Sequence, residues 1–326
     1  MYGMKRIFNP EIYQGKNRKN NYFEGWYFKS VDEDGKNVMS FIPGISIGSS
    51  PEDSHCFIQV IDGSRNRSGY FTFPSNDFKY SEDRLELHIG ANSFSTKGLT
   101  LSLKDRELAY EGSLNFLNPQ PFPKTLWSPG IMGPFGFLSF MECYHGVVHV
   151  RHELTGQLKI DGEDQDFANG LGYIEKDWGT SFPDSWIWIQ CNHFTQPNIS
   201  FMLSFAHIPF LGRSFNGLIT FLSVNGKIYR LSTYQGSRVT SLDYEDGVLT
   251  VLAEGRHHAL SVTVTVEPGS HLKAPKKGAM ATTILESMTS RTHIVLIEKE
   301  GSILFEGDGS ITGVEICGNL FEILNH

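Results

Sequence analysis

Apolar and polar residues alternate along much of the chain. In LSVTVTVEP, Leu260, Val262, Val264 and Val266 are apolar, and Ser261, Thr263 and Thr265 between them are polar. LTLSLKD and RLELHIG follow the same rule. An apolar residue at every second position gives a strand one core face and one solvent face. Between such runs stand DEDG, IDGS, VNGK, YEDG, EKEGS and EGDGS, whose Gly, Asn and Asp suit tight hairpin turns. Short strands punctuated in this way predict an all-β fold of barrels or sandwiches. Helix is expected only in short pieces, the best of them around residues 279–288 in PKKGAMATTILESM.

The strand pattern also recurs. Glu24-Gly-Trp26-Tyr-Phe28 aligns with Asp184-Ser-Trp186-Ile-Trp188 at an offset of 160. At the same offset MSFIPG, from Met39, meets ISFMLS, from Ile199. KGLTLSLKD and HALSVTVTV follow at 161. Two tandem copies of one β-module are expected, each the size of a barrel that closes around one small ligand. The pattern breaks in FLNPQPFPKTLWSPGIMGPFGFLSF, which carries prolines at 119, 121, 123, 129 and 134. That density suits a crossing or covering segment, not a central strand. The expected modules are therefore 1–143 and 144–326.

Composition narrows the function. A net charge of −8 with no Lys/Arg run longer than two argues against nucleic acid as a partner. No apolar run approaches the roughly 20 residues of a membrane-spanning helix. The amino-terminal residues have no apolar signal core, and a cytoplasmic location is expected. Cys56, Cys143, Cys191 and Cys317 are dispersed, without CxxC, and read as reduced thiols. His257-His258 has no third ligand at useful spacing, so no metal is expected, and HLKAP, with His271 and Lys273, reads as a loop. Nucleotide-binding and common hydrolase motifs are absent from the sequence.

The stretch GYIEKDWGTSFPDSWIWIQCN, residues 172–192, holds three of the five tryptophans. On a strand Tyr173, Glu175 and Asp177 share a face. Two carboxylates there repel, and an aromatic wall desolvates them. Both effects raise a pKa and keep a carboxylic acid protonated as a donor. The plainer alternative pairs Glu175 with Lys176 at the surface and makes Trp178-Gly179 a turn. Asp184, Trp186, Trp188 and Gln190 share a second face, and Glu24 and Trp26 share a third with Tyr22 and Phe28. Acids beside indoles suit a pocket for a lipophilic molecule with a polar head. They equally suit the packing of a barrel end.

YFEGWYFKS, the central stretch, HLKAP followed by ATTILE, and the closing GVEICG resemble, in that order, the tocopherol cyclase family. GYIEKDWG is more distantly similar to an element of carotenoid hydratases. The resemblance implies tandem calycin-type, lipocalin-like barrels and a cofactor-free reaction. That reaction is acid-catalysed closure of a prenylated hydroquinone to a chromanol, or a related protonation or hydration of an isoprenoid alkene. It implies Glu175 as the motif acid, Tyr173 as the motif tyrosine, and Trp178 and Trp186 as motif tryptophans. Asp177 departs from the Asn usual in the family. The implied partner is a lipophilic small molecule, with peripheral membrane contact to collect it, and the binding site is expected near the module junction. The alternative is a non-catalytic double-barrel binding protein for a lipophilic ligand. No oligomeric state follows from the sequence.

Overall fold

The computed structural model describes residues 2–210, 212–319 and Leu324. Alternation in sequence becomes alternation in burial: Gly98–Lys104 buries Leu99, Leu101 and Leu103 and exposes the residues between them. In chain order the first sheet holds β1 (Tyr22–Val31), β2 (Val38–Ile47), β3 (His55–Asp62), β4 (Arg67–Pro74), β5 (Phe78–Tyr80), β6 (Glu86–Ile89), β7 (Asn92–Ser95), β8 (Gly98–Lys104), β9 (Ala109–Pro121), β10 (Cys143–Ile160), β11 (Glu163–Asp166) and β12 (Leu171–Gly179). Its hydrogen-bonded order is β4-β3-β2-β1-β12-β10-β9-β8-β7-β6-β5, with β11 beside β10. The second sheet holds β13 (Trp186–Cys191), β14 (His193–Phe194), β15 (Ile199–Phe210), β16 (Arg213–Val224), β17 (Lys227–Arg230), β18 (Arg238–Glu245), β19 (Val248–Glu254), β20 (His258–Thr265), β21 (Ser270–Lys276), β22 (Ala279–Glu298) and β23 (Ile303–Cys317). Its order is β17-β16-β15-β13-β23-β22-β20-β19-β18, with β14 beside β23 and β21 beside β22. The fold is all-β, two lipocalin-like barrel sheets, each with its own apolar core.

The chain divides into two compact units, Met1–Phe182 with Leu272–Thr283, and Pro183–His271 with Ile284–His326. The division falls at 182/183 and not at 143/144. The strands that follow the proline-rich segment, β10 and β12, pair within the first sheet. The GYIEKDWG motif is thus on β12, between β1 and β10, and does not open a second module.

The internal repeat is visible in the topology. β1-β2-β3 and β13-β15-β16 run the same way through their sheets. Its register differs from the sequence match. Trp26 and Phe28 belong to the first core, whereas in β13 the core residues are Ile187 and Ile189, not Trp186 and Trp188. A one-residue slip exchanges the faces of a strand, so Trp26 and Trp186 are not equivalent. The third match also slips. β20 lies beside the long strand β22, but β8 is separated from β10 by β9.

Three local expectations change as well. Residues 279–288 are strand, with burial alternating along β22. Lys277 and Gly278, both with positive φ, turn β21 straight back into it. HLKAP lies on β21 rather than in a loop. EGDGS lies inside β23, where a Cβ on Gly309 would come within 2.7 Å of the Cys191 sulfur. VNGK and YEDG are hairpin turns as read, with positive φ at Asn225-Gly226 and Asp246-Gly247.

A buried ion pair ties β12 to β1 and to the amino-terminal segment. Lys176 and Glu24 are both 0% exposed, with Nζ and Oε1 2.5 Å apart. The ammonium stands over the rings of Trp26 and Trp178, 4.7 and 4.6 Å from the ring centroids. It donates to the carbonyls of Pro10 and Ile12. Glu24 accepts from the backbone of Gln14 and Gly15 and from the Tyr22 hydroxyl. Trp26 Nε1 donates to the Glu11 carbonyl. Gly15 has no alternative here, because a Cβ would lie 2.4 Å from the Tyr22 ring. Burial pulls Lys176 down to about 8, with Glu24 opposing.

On β10, His149 and His152 are buried with their Nδ1 atoms 3.3 Å apart, one ring donating and the other accepting. Burial pushes His149 down to about 4. Burial, with His149 and Arg151 nearby, holds His152 well below the usual histidine range.

Two outcomes are expected. Lys176→Met strands a buried carboxylate and should cost about 3–5 kcal/mol in urea unfolding, while adding Glu24→Gln should recover much of that loss. An equal loss in single and double variants would show that the charges are not coupled. The histidine pair binds protons in the unfolded chain but not in the fold. Its stability contribution is therefore complete above the ordinary histidine value and is lost as pH falls towards 4, with His149 accounting for about 3 kcal/mol. Thermal midpoints should drop from pH 7 to 4, and less steeply for His149→Gln.

Candidate active site

Alternation along β12 gives one strand two tasks. Ile174, Lys176 and Trp178 face the first core or its clamp. Tyr173, Glu175 and Asp177 share the other face, as the spacing predicts. Antiparallel pairing sets their neighbours. On β10, Val147 stands opposite Glu175 and His145 opposite Asp177. On β1, Lys29, Tyr27 and Gly25 stand opposite Tyr173, Glu175 and Asp177.

The polar groups form a chain. The Tyr173 hydroxyl, 0% exposed, donates to Glu175 Oε2 at 2.6 Å. His145 Nε2 lies 3.4 Å from the same oxygen, and His145 Nδ1 lies 2.9 Å from Asp177 Oδ1. The Nε2 contact is close enough for charge attraction but is not aligned as a hydrogen bond, and Nε2 is buried without another partner. Such contacts commonly tighten when substrate binds. Side-chain exposure falls along the chain, from 27% at Asp177 to 11% at His145 and 5% at Glu175. Burial pulls the His145 pKa down, but Asp177 and Glu175 outweigh it and hold the imidazole well above its usual range. Burial and Glu175 keep Tyr173 protonated, its pKa well above the usual phenol value.

The metal-ligating atoms of His145, Glu175 and Asp177 lie within 4.8 Å of one another. The imidazole nonetheless turns Nε2 to Glu175 and Nδ1 to Asp177, opposite edges of the ring. An ion held by one ligand atom from each residue would take the place of one of these contacts. The arrangement bridges two carboxylates as a proton carrier does. On the opposite face of β12, the face of Trp178, a cavity of about 180 Å³ is lined by Trp178, Tyr144, His145, Met132, Phe137 and Arg18, with Glu175 outside its lining. Tyr144 stacks on Trp178 at 5.3 Å and 9°.

The remaining candidates lie on other elements. Glu24 and Trp26 belong to the clamp. Asp184, Trp186, Trp188 and Gln190 belong to the second unit. Asp184 is exposed and precedes β13. Trp186, Trp188 and Gln190 are buried, and Trp186 Nε1 donates to Glu315 Oε2 at 2.7 Å. Glu315 is the acid of the GVEICG motif. Sequence reasoning missed His145 because, although the expected second module held both it and Glu175, nothing local in the sequence gives the pairing of β10 with β12. The available signal was the alternation of His145, Val147 and His149 in a strand-like run just after the proline-rich segment. The plainer alternative made Lys176 a surface partner of Glu175, whereas it is fully buried on the opposite face.

A family model described as tocopherol cyclase-like matches residues 130–318. "Probable tocopherol cyclase, chloroplastic" from Oryza sativa subsp. japonica is 32% identical over 127 residues, 37% of this chain and 27% of that protein. "Tocopherol cyclase, chloroplastic" from Zea mays is 24% identical over 223 residues, 60% of this chain and 43% of that protein. The chain thus spans less than half the length of these curated relatives. Among solved structures, CghA with Sch210972 aligns over 91% of this chain and 89% of its own, with a TM-score of 0.54 at 13% identity. An AttH-type protein from Nitrosomonas europaea aligns over 90% and 92%, with a TM-score of 0.51 at 11% identity. These two likenesses concern the fold. The family match covers more than half of the chain, includes all of β10, β12 and β23, and places this protein in the tocopherol cyclase-like family.

Proposed function

We propose that the protein protonates the trisubstituted alkene of a prenylated hydroquinone, or of a related isoprenoid, with Glu175 as the donor. The observation that carries this reading is the chain Tyr173–Glu175–His145–Asp177, a buried carboxyl with a charged imidazole behind it. An alkene is a weak base, so its donor must be a protonated acid shielded from water. Glu175 receives the imidazolium proton of His145 when substrate excludes water and passes it to the less substituted alkene carbon, which leaves it a carboxylate again. The resulting tertiary cation is captured by the phenolic oxygen of the same molecule, which closes the ring and releases the phenolic proton. Substrate and product are isomers, so no redox change accompanies the step. The phenolic proton then restores the imidazolium of His145, so the cycle consumes and releases one proton. Tyr173 holds the carboxyl in orientation. Capture of the cation by water instead of the phenol would make the same machinery a hydratase.

Incubation with prenylated hydroquinones, followed by mass spectrometry and chromatography, tests the reaction. Glu175→Gln keeps the shape and removes the transferable proton, so turnover should fall at least about a hundredfold with substrate binding retained. Wild-type turnover in that variant would sink the assignment. The alkaline limb of the activity profile should follow His145, whose proton is lost as pH rises through its raised pKa. Asp177→Asn removes one of the two charges that raise it, so the alkaline limb should move to lower pH. A limb that stays in place would take His145 out of proton supply.

A further inference from the structure

Two stretches of the second unit, residues 230–237 and 255–258, line a pocket of about 500 Å³. The first leads from β17 to β18 and the second from β19 to β20. Arg230, Tyr234 and Ser237 come from one, and Arg256, His257 and His258 from the other. Backbone hydrogen bonds hold both walls. The Ser232 carbonyl accepts from Gln235 N and Ser237 N at 2.9 and 3.1 Å, and Gly236 completes that turn with φ 82°. Gly255 N donates to the His258 carbonyl at 2.8 Å, and Lys299 N donates to the His257 carbonyl at 2.9 Å. A Cβ on Gly255 would come within 2.7 Å of the Ser237 hydroxyl, so the two walls meet there.

Charge points to the ligand. The chain carries −8 overall, yet four of the ten described residues that line this pocket are Arg or His, and none is an acid. The turn that supplies three of them is also unusual. The β16–β17 and β18–β19 hairpins turn through Asn225-Gly226 and Asp246-Gly247, which are ordinary turn residues. The β19–β20 hairpin turns through Arg256 and His257, both exposed. Burial, with His257 and Lys227 nearby, holds His258 below the usual histidine range, against the pull of Glu298. An anion in the pocket would relieve that crowding of basic groups. Two guanidinium forks, two imidazoles and the hydroxyls of Ser237 and Tyr234 exceed what the two oxygens of a carboxylate can use. They match the three oxygens and the nearly double charge of a phosphate group. The volume also leaves room for a small organic body attached to it.

We infer that this pocket binds the phosphate group of a small soluble molecule, with Arg230, Arg256, His257 and His258 as its cationic contacts. The inference stands apart from the proposed reaction, because Tyr173, Glu175, His145 and Asp177 all belong to the first unit.

The test is isothermal titration of the full chain with inorganic phosphate and with glycerol 3-phosphate. Both should bind in the millimolar range or tighter, and acetate should bind more weakly than either. Arg256→Gln with His257→Gln changes two exposed side chains. It should weaken phosphate binding at least about tenfold, with an unchanged melting midpoint in phosphate-free buffer. Arg291 is 70% exposed and stands opposite Thr265, at the far end of β20 from His258. Arg291→Gln should therefore bind phosphate as wild type does. Absence of phosphate binding by wild type, or equal binding by the double variant, would overturn the inference. An equal loss in Arg291→Gln would do the same, since the attraction would then belong to the unit as a whole. So would acetate binding as tight as phosphate. Binding of phosphatidic acid in vesicles without binding of the soluble phosphates would assign the pocket to a lipid headgroup and overturn it too. These readings involve no turnover, so failure of the proposed reaction would leave this inference standing.

Discussion

The first barrel depends on one buried ammonium group. Lys176 has no contact with solvent, and an isolated charge in such a place is prohibitively costly. It is retained because Glu24, two carbonyls and two indole faces surround it. Those partners come from β1, β12 and the segment around residues 10–15, so meeting the needs of one charge fixes three pieces of chain against each other. A buried pair of this kind is weak evidence for stability but strong evidence for a defined arrangement, because every alternative strands a charge.

That arrangement determines where the acid stands. Side chains on β12 alternate, so fixing Lys176 inward fixes Glu175 and Asp177 outward. A slip of one residue would put Glu175 into the clamp and Lys176 against His145. The pairing of β12 with β10 then supplies His145 opposite Asp177, within reach of both carboxylates. Proton chemistry on one face of the strand is positioned by packing chemistry on the other. The central motif therefore reads as two interleaved sets of letters, Tyr-Glu-Asp for the site and Ile-Lys-Trp for the barrel.

The sequence shows some of this and not the rest, for identifiable reasons. Strand content, the alternation of β20 and β8, and the shared face of Tyr173, Glu175 and Asp177 are local properties with a period of two, and they were legible. The partners of those residues were not. His145 lies 30 positions upstream of Glu175, and it becomes a neighbour only because β10 and β12 pair in the sheet that β1 begins. The sequence repeat itself was misleading at β13. Matching Trp26 to Trp186 honours residue type, whereas the core honours parity, and in β13 the core-facing residues are isoleucines. Residues 279–288 read as helix because Ala, Met, Leu and Glu favour one. Pairing of β22 with β23 and β20 overrode that preference.

Asp177 is the position in the motif that is freest to differ. Glu175 is held by Tyr173, Lys176 by the clamp, and Trp178 by the ammonium and Tyr144. Asp177 touches His145 and is more than a quarter exposed, with Gly25 opposite it on β1. An Asn there can still accept from the imidazole Nδ1, so the geometry survives either residue. The charge does not. With Asp the imidazole lies between two carboxylates and keeps its proton, whereas with Asn it faces one. A substitution at the solvent end of the polar chain can therefore reset the proton balance of the site while leaving the barrel, the clamp and the placement of Glu175 as they are.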